Sequence, residues 1–378
     1  MNAPQLDTAW TELSDALQRS SSRILEETPQ LQAEGYRYLA RFLAAGLKSC
    51  VTHDDPNEPI LHSMIDESAP WGLDHPDCHY LYGALQPNAN YRLIGDLGTA
   101  NVLDVQINSG HFSCGSVQGV DTLRAFSRDQ LNADPNGAVE YDFTTEENAR
   151  FLQIRQYFAD WNAERPARLI LERIDAPTPR ATATHESVQA QLRLLTEWIE
   201  KGGTLWNALS ERFLSMPPNS LHVHEASESR HGALAGQIYA MGHFACQPDE
   251  ALIIELDAPD CLHWNLSIAN RYWETIEYST RQSSLNHHQA VAHDPKKYLF
   301  VVSHQDPGLA NWIDPAGTTQ GTLAIRCYRA ESNPEIRLRL VPSSQLAAEL
   351  PAGLPSADPN QRQSALQLRR RGVRWRHA

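Results

Sequence analysis

Several signatures that would place a chain quickly in a large functional class are missing here. No apolar run in the 378 residues approaches the length needed to span a bilayer, so a membrane partner is not expected. There is no glycine-rich phosphate loop, Walker pattern or GxSxG elbow, which removes weight from nucleotide-binding and serine-hydrolase readings. Positive charge is scarce: 32 basic against 46 acidic residues leave a net charge of −14. That balance argues against general binding to nucleic-acid backbones, which relies on clustered Lys and Arg. The six cysteines (Cys50, Cys78, Cys114, Cys246, Cys261, Cys327) include no CxxC pair and read as reduced, mostly buried thiols. The opening MNAPQLDTAWTELSDAL has no basic segment followed by an apolar one, and cytoplasm is the expected compartment.

What is present is β grammar framed by helices. Tyr36, Leu39, Ala40, Leu43 and Leu47 fall on one face at helical spacing, so residues 1–52 are expected to form a helical cap docked on the body. Residues 53–176 form a first β-rich block, with strands in YRLIGDL, NVLDVQI, AVEYDF, FLQIRQYF and ARLILERI. A linker and helical pair occupy 177–216, the first helix striped by Val188, Leu192, Leu195 and Ile199 and stopped at Gly202–Gly203. Residues 217–341 form a second β-rich block with runs QIYAMGHF, ALIIELDA, CLHWNLSI, YLFVVSH, TLAIRCY and EIRLRLV. The rest, 342–378, is expected to be a poorly packed tail whose basic cluster runs from Arg369 to Arg376. The expected fold is mostly β with helical additions: one antiparallel β-sandwich, or two.

Polar and aromatic residues crowd Trp264–Tyr328 more densely than a core requires. In WETIEYSTRQSSLNHHQA, Glu274 and Tyr278 are four apart, as are Glu277 and Arg281, with Trp273 and Asn286 close by. An acid, a phenol and a guanidinium together can bind a hydroxyl or carboxylate or exchange protons with it, although an ion-paired helix edge has the same spacing. SHQDPGLANWIDPAG places His304 two residues from Asp306, a base with an orienting acid, and adds Asn311 and Trp312. Its Asp-Pro steps, at Asp306 and Asp314, also suit turn caps. Arg155 stands inside an apolar strand and needs a cross-strand carboxylate or an anionic ligand. His222 and His224 form an HxH pair followed by Glu228, resembling the ligand order of the first cupin motif, on what also reads as a polar loop. His75 and His79 in LDHPDCHY have ligand-like spacing, but Pro76 makes a loop the expected conformation.

The segments EGYRYLARFLAAGL, YRLIGDLG, RQYFADW, PDEALIIEL, WETIEYSTRQSSLNHHQA and SHQDPGLANWIDPAGTTQGTLAIR resemble an uncharacterised bacterial family catalogued as domain of unknown function 1214. The resemblance covers most of residues 34–330 and implies β-sandwich bodies with helical additions. Some members lie beside genes for breaking down steroids, terpenoids and other hydrophobic compounds, which implies a catabolic role without naming a reaction. The family pattern falls on Arg155, Trp161, Trp273, Glu274, Tyr278, Arg281, Asn286, Gln289, Asp306, Gly308, Asn311, Trp312 and Asp314. The turn before RQYFADW departs from it, compressed into TTEENAR, and the HVHEASESRH histidines lie outside it.

The expected function is an enzyme for a small, largely apolar molecule bearing a hydroxyl or carboxylate. Cofactor-independent acid–base chemistry of the lyase, dehydratase, isomerase or hydrolase type is expected. Glu274 or His304 moves the proton, Asp306 orients the base, and Tyr278 and Arg281 hold the oxygen. Trp273, Trp312, Asn286, Asn311 and Arg155 line the substrate. Two alternatives stand beside it: a non-catalytic binder of hydrophobic ligands, and a cupin-like enzyme holding a divalent metal through His222, His224 and Glu228. Exposed strand edges leave a homodimer open.

Overall fold

Short runs rich in strand-forming residues fold into sixteen strands among the described residues, numbered here in chain order. The computed structural model describes residues 3–24, 28–112, 120–176, 182–224 and 236–377. In the first half, the sheet β1 (Cys78–Ala84), β6 (Ala149–Tyr157), β3 (Val102–Ser109), β4 (Thr122–Ser127) faces the sheet β5 (Ala138–Thr144), β2 (Asn90–Asp96), β7 (Arg168–Arg173). Leu93, Leu103, Val105, Leu152, Ile154 and Leu171 fill the space between them. In the second half, β12 (Ser284–Asn286), β11 (His263–Ala269), β15 (Gln320–Tyr328), β9 (Gln237–Ala245) and β8 (Ser220–His224) form one sheet. It packs on β14 (Trp312–Ile313), β13 (Lys297–Ser303), β10 (Glu250–Asp257) and β16 (Glu335–Pro342) through Phe244, Leu252, Ile254, Leu266, Phe300 and Ile325. Every pairing between these strands is antiparallel except β13 with β14.

Helices close one side. Helix α1 (Ala3–Ser22) and α2 (Pro29–Leu47) pack with α3 (His185–Glu197) around Phe42, Trp71, Leu195 and Trp198. Gly202–Gly203 does not end the helical run as its sequence suggests. A π-helical turn over Trp198–Gly202 carries α3 into α4 (Gly203–Leu214), and Gly202 keeps helical angles, φ −61° and ψ −49°. A side chain there would meet the Phe112 carbonyl at 3.1 Å, so the glycine serves close packing rather than termination.

The tail also differs from expectation. After the single turn α5 (Leu346–Glu349), residues Pro359–Arg376 form helix α6, capped by Asp358 and docked on the body. Arg362, Arg369, Gly372, Val373 and Arg376 fall on one buried face. The Trp161 ring lies against two of these guanidiniums, 4.6 Å from Arg369 and 4.5 Å from Arg376. Composition hid this helix because the buried stripe is arginine rather than leucine.

Candidate functional site

Alternation leaves each sandwich with one sheet whose outer face is polar and aromatic. On the first, register sets Tyr80, Arg155 and Asp104 side by side, and Tyr82, Gln153 and Gln106 in the next row. On the second, Arg326 of β15 stands between Tyr239 of β9 and Asn265 of β11. These faces bound a cavity of about 490 Å³, closed by the 65–75 loop and by α4. Trp71, Tyr80, Phe112, Tyr157, Trp206, Phe213 and Trp273 give it aromatic walls, and Arg155, Arg326, Asp74 and His75 add charge and proton donors.

The 72–77 loop reaches the cavity through two left-handed residues, Gly72 at φ 64° and Leu73 at φ 58°. Left-handed backbone is unfavourable at a leucine and must be held by its surroundings. It is: Leu73 N–H donates to the Trp273 carbonyl at 2.8 Å, and the Leu73 carbonyl accepts from Arg326 Nη2 at 2.6 Å. Next in the chain, Asp74 Oδ1 accepts from Thr275 N–H at 2.8 Å, while Asp74 Oδ2 is buried without a partner. Burial lifts this carboxyl to about 7, outweighing the Thr275 hydrogen bonds and the charge of Arg326. His75 follows. Burial and the charge of Arg326 hold its ring neutral. Its Nδ1 accepts from Asp77 N–H at 3.2 Å, so the proton resides on Nε2, which has no partner. Gln153 Oε1 and Trp206 Nε1 are likewise unpartnered on residues lining the cavity. Four unsatisfied polar atoms on one cavity wall set are what a ligand with polar groups would satisfy.

Behind the loop, Asp77 joins the two sandwiches. Its Oδ1 accepts from Trp161 Nε1 at 2.8 Å and Asn286 Nδ2 at 3.0 Å. Its Oδ2 accepts from Asn265 Nδ2 at 2.9 Å and His263 Nε2 at 3.0 Å. Burial raises the carboxyl, but the His263 hydrogen bond and nearby charge, including Arg376, outweigh it and hold the group well below the usual carboxylate range. His75, Asp77 and His263 bring ligand-type atoms within 4.8 Å of one another, making them, among the described residues, the group able to hold a metal ion. Their hydrogen bonds favour a proton over a metal. Asn101 Nδ2 donates to the Leu262 carbonyl at 3.0 Å and meets His263 Nδ1 at 3.5 Å. His263 Nδ1 therefore accepts, and its Nε2 carries the proton given to Asp77. A metal-bound imidazole needs the reverse, with its outer nitrogen donating.

The residues singled out in the carboxyl-terminal third do not surround one hollow. Trp273 lines the cavity, its Nε1 donating to Thr322 Oγ1 at 2.9 Å. Glu274 turns the other way, bonding Asn270 Nδ2 at 2.8 Å and Arg41 Nη1 at 3.2 Å beside a separate recess of about 60 Å³ that Tyr278 also lines. Arg281 is half-exposed and pairs with Asp314 at 2.8 Å. His304 bonds the Cys246 carbonyl through Nε2 at 3.0 Å rather than Asp306. Asp306 caps Gly308 N–H and pairs with Arg362 at 2.8 Å. Asn311 bridges Val291 and Leu299, and Trp312 Nε1 donates to the Ser303 carbonyl at 2.9 Å under the Arg362 guanidinium. Turn caps and struts occupy these groups. Asn286 belongs to the Asp77 junction, and Arg155 to the cavity. His222 and His224 stack edge to face at 4.6 Å on β8, with His224 lining the cavity, while Glu228 lies outside the described residues.

Asp74, Asp77 and Arg326 were not singled out by the sequence. The mark that picked out Arg155, a guanidinium inside an apolar strand, is equally present at Arg326 in TLAIRCY. In LDHPDCHY the histidine spacing is the conspicuous signal, and the two aspartates that flank His75 are the one that matters.

The chain folds like an uncharacterised protein from Burkholderia cenocepacia, with a TM-score of 0.85 and 28% identity over 90% of this chain and 99% of that one. The VPA0106 protein from Vibrio parahaemolyticus aligns at TM-score 0.47 and 12% identity, over 80% of this chain and 98% of that one. No family model and no curated protein matches the chain.

Proposed function

We propose that the protein is an enzyme for a small, largely apolar molecule carrying a hydroxyl or carboxylate. It works by acid–base chemistry in the cavity between the sandwiches, with no bound cofactor. The observation that carries this reading is Asp74: a buried carboxyl with one unpartnered oxygen, poised near neutrality at about 7, in an aromatic cavity of about 490 Å³. Asp74 takes or gives the proton. His75 Nε2–H and the Arg326 guanidinium are donors for the oxygen on which charge develops. Asp77 positions His75 through its backbone N–H, which fixes the ring tautomer. The indoles of Trp71, Trp206 and Trp273 hold the apolar body.

Mixtures of small hydrophobic acids and alcohols, incubated with the protein and followed by mass spectrometry, test the reading. Wild type is expected to convert at least one compound, and Asp74→Asn to retain that compound on ultrafiltration without converting it. Equal conversion by both proteins removes Asp74 from the chemistry. Retention without conversion by both leaves a binding protein with the same aromatic cavity.

A further inference from the structure

Two arginines enter the cavity from facing sheets, Arg155 from β6 and Arg326 from β15. Tyr80 and Tyr157, also in the lining, lie within electrostatic reach of both guanidiniums. Arg155 Nη1 donates to the Gln106 side-chain carbonyl, while Arg326 donates to Ser267 Oγ at 3.2 Å and the Leu73 carbonyl at 2.6 Å. Two carboxyls are near, and burial moves both toward their protonated forms: Asp74 to about 7, and Asp104, directly across from Arg155, to about 6. Both guanidiniums line one largely aromatic cavity, where a ligand anion would meet charge-assisted donors from two walls. His75 is neutral and cannot supply an anion.

We infer that the cavity selects carboxylates over neutral alcohols and esters, the anion lying between Arg155 and Arg326 and the apolar body against the aromatic wall. This deepens the proposed function and rests on the cavity being a ligand site. A guanidinium offers parallel N–H groups that match a carboxylate edge, and two of them from opposite walls fix where its plane lies. The unpartnered His75 Nε2–H and Trp206 Nε1–H remain for a second oxygen on the same molecule.

The probes are 2-naphthoate, methyl 2-naphthoate and 2-naphthalenemethanol, with the matching phenanthrene trio to cover a larger body. Binding is read by calorimetry and by quenching of tryptophan fluorescence. The acid of each trio is expected to bind at least about tenfold tighter than its ester or alcohol, the scale of a charge-assisted hydrogen bond. Arg326→Gln is expected to lower acid affinity at least about tenfold and ester affinity by less, so that the acid preference shrinks, with Arg155→Lys keeping that preference. An ester or alcohol that binds as tightly as its acid overturns the carboxylate preference and leaves the cavity as a ligand site. Failure of all six probes to bind below about 1 mM overturns both. The wild-type comparison of acid with ester needs no variant, so poor folding of an arginine variant does not blunt it.

Discussion

At the residue scale, two aspartates three positions apart are driven in opposite directions by their partners. Asp74 has too few hydrogen bonds for its burial, and Asp77 has four. The carboxyl of Asp74 is raised in the fold, so it costs nothing below the unfolded carboxylate range. The penalty grows as pH rises from that range to about 7, where the folded protein also ionises the group, and is level above it. Asp74→Asn, which keeps an oxygen for Thr275 N–H, is therefore expected to be neutral near pH 4. Its advantage should grow between pH 4 and 7 and level off above, at on the order of 4 kcal/mol for a carboxyl raised from 3.8 to about 7. Thermal unfolding of both proteins from pH 4 to 8 measures it, and a flat difference across that range would contradict the argument. Asp77 has the opposite sign, since its depressed carboxyl stabilises above the unfolded carboxylate range and loses that contribution only in strong acid. Asp77→Ala leaves the buried donors of Trp161, Asn265 and His263 without that acceptor, while Asn286 keeps the Phe158 and Ala159 carbonyls, and should cost about 3–5 kcal/mol in urea unfolding. Because the His263 proton already faces Asp77, treatment with EDTA is expected to leave the melting temperature unchanged. A fall that added Mn²⁺ or Zn²⁺ reversed would instead assign the cluster to a metal.

At the scale of elements, helix α6 is the least expected piece. Its apolar content is low, yet it docks because arginines can stack on an indole and reach backbone carbonyls at the same time. Arg369 Nε donates to the Tyr278 carbonyl at 3.1 Å and its Nη2 to Ser284 Oγ at 2.8 Å, while Arg376 Nη1 reaches the Pro76 carbonyl at 2.9 Å. The helix thereby braces Trp161 and the loop carrying His75 and Asp77. Gly372 is the close-contact point, where a Cβ would lie 2.7 Å from Trp161. Gly372→Ala should therefore destabilise by about 1–3 kcal/mol despite alanine's better helix propensity, and chemical denaturation checks the sign. The WET segment is a second instance. Trp273 looks into the cavity, Glu274 away from it toward Arg41, and Thr275 back to Asp74, so consecutive side chains serve different surroundings.

At the scale of the molecule, the cavity exists because two sandwiches turn polar faces toward each other. Neither could carry it alone: Arg155 and Tyr80 belong to the first, Arg326 and Tyr239 to the second, and α4 closes the opening. The buried junction at Asp77 ties the halves beside the cavity, so a ligand that bridges the two walls should raise the stability of the whole protein. A tightly bound acid present at a hundred times its Kd is expected to add about 2.7 kcal/mol, seen as one shifted melting transition.

The sequence alone determined the strands. The short apolar runs in FLQIRQYF, ALIIELDA and TLAIRCY, bounded by turn residues, require strands, and the structure has β6, β10 and β15 there, buried on both faces. It also marked Arg155 and Trp273, because a charge in an apolar strand and a crowded aromatic turn stand out locally. Which polar residues share a hollow depends on how far apart the chain's segments end, and periodicity is silent on that. Asp74 and Arg326 are 252 positions apart and meet only through the packing of two separate sandwiches. His304 and Asp306 are neighbours in sequence yet hold different partners. Local pattern fixes which face a side chain takes, and only tertiary packing decides what that face meets.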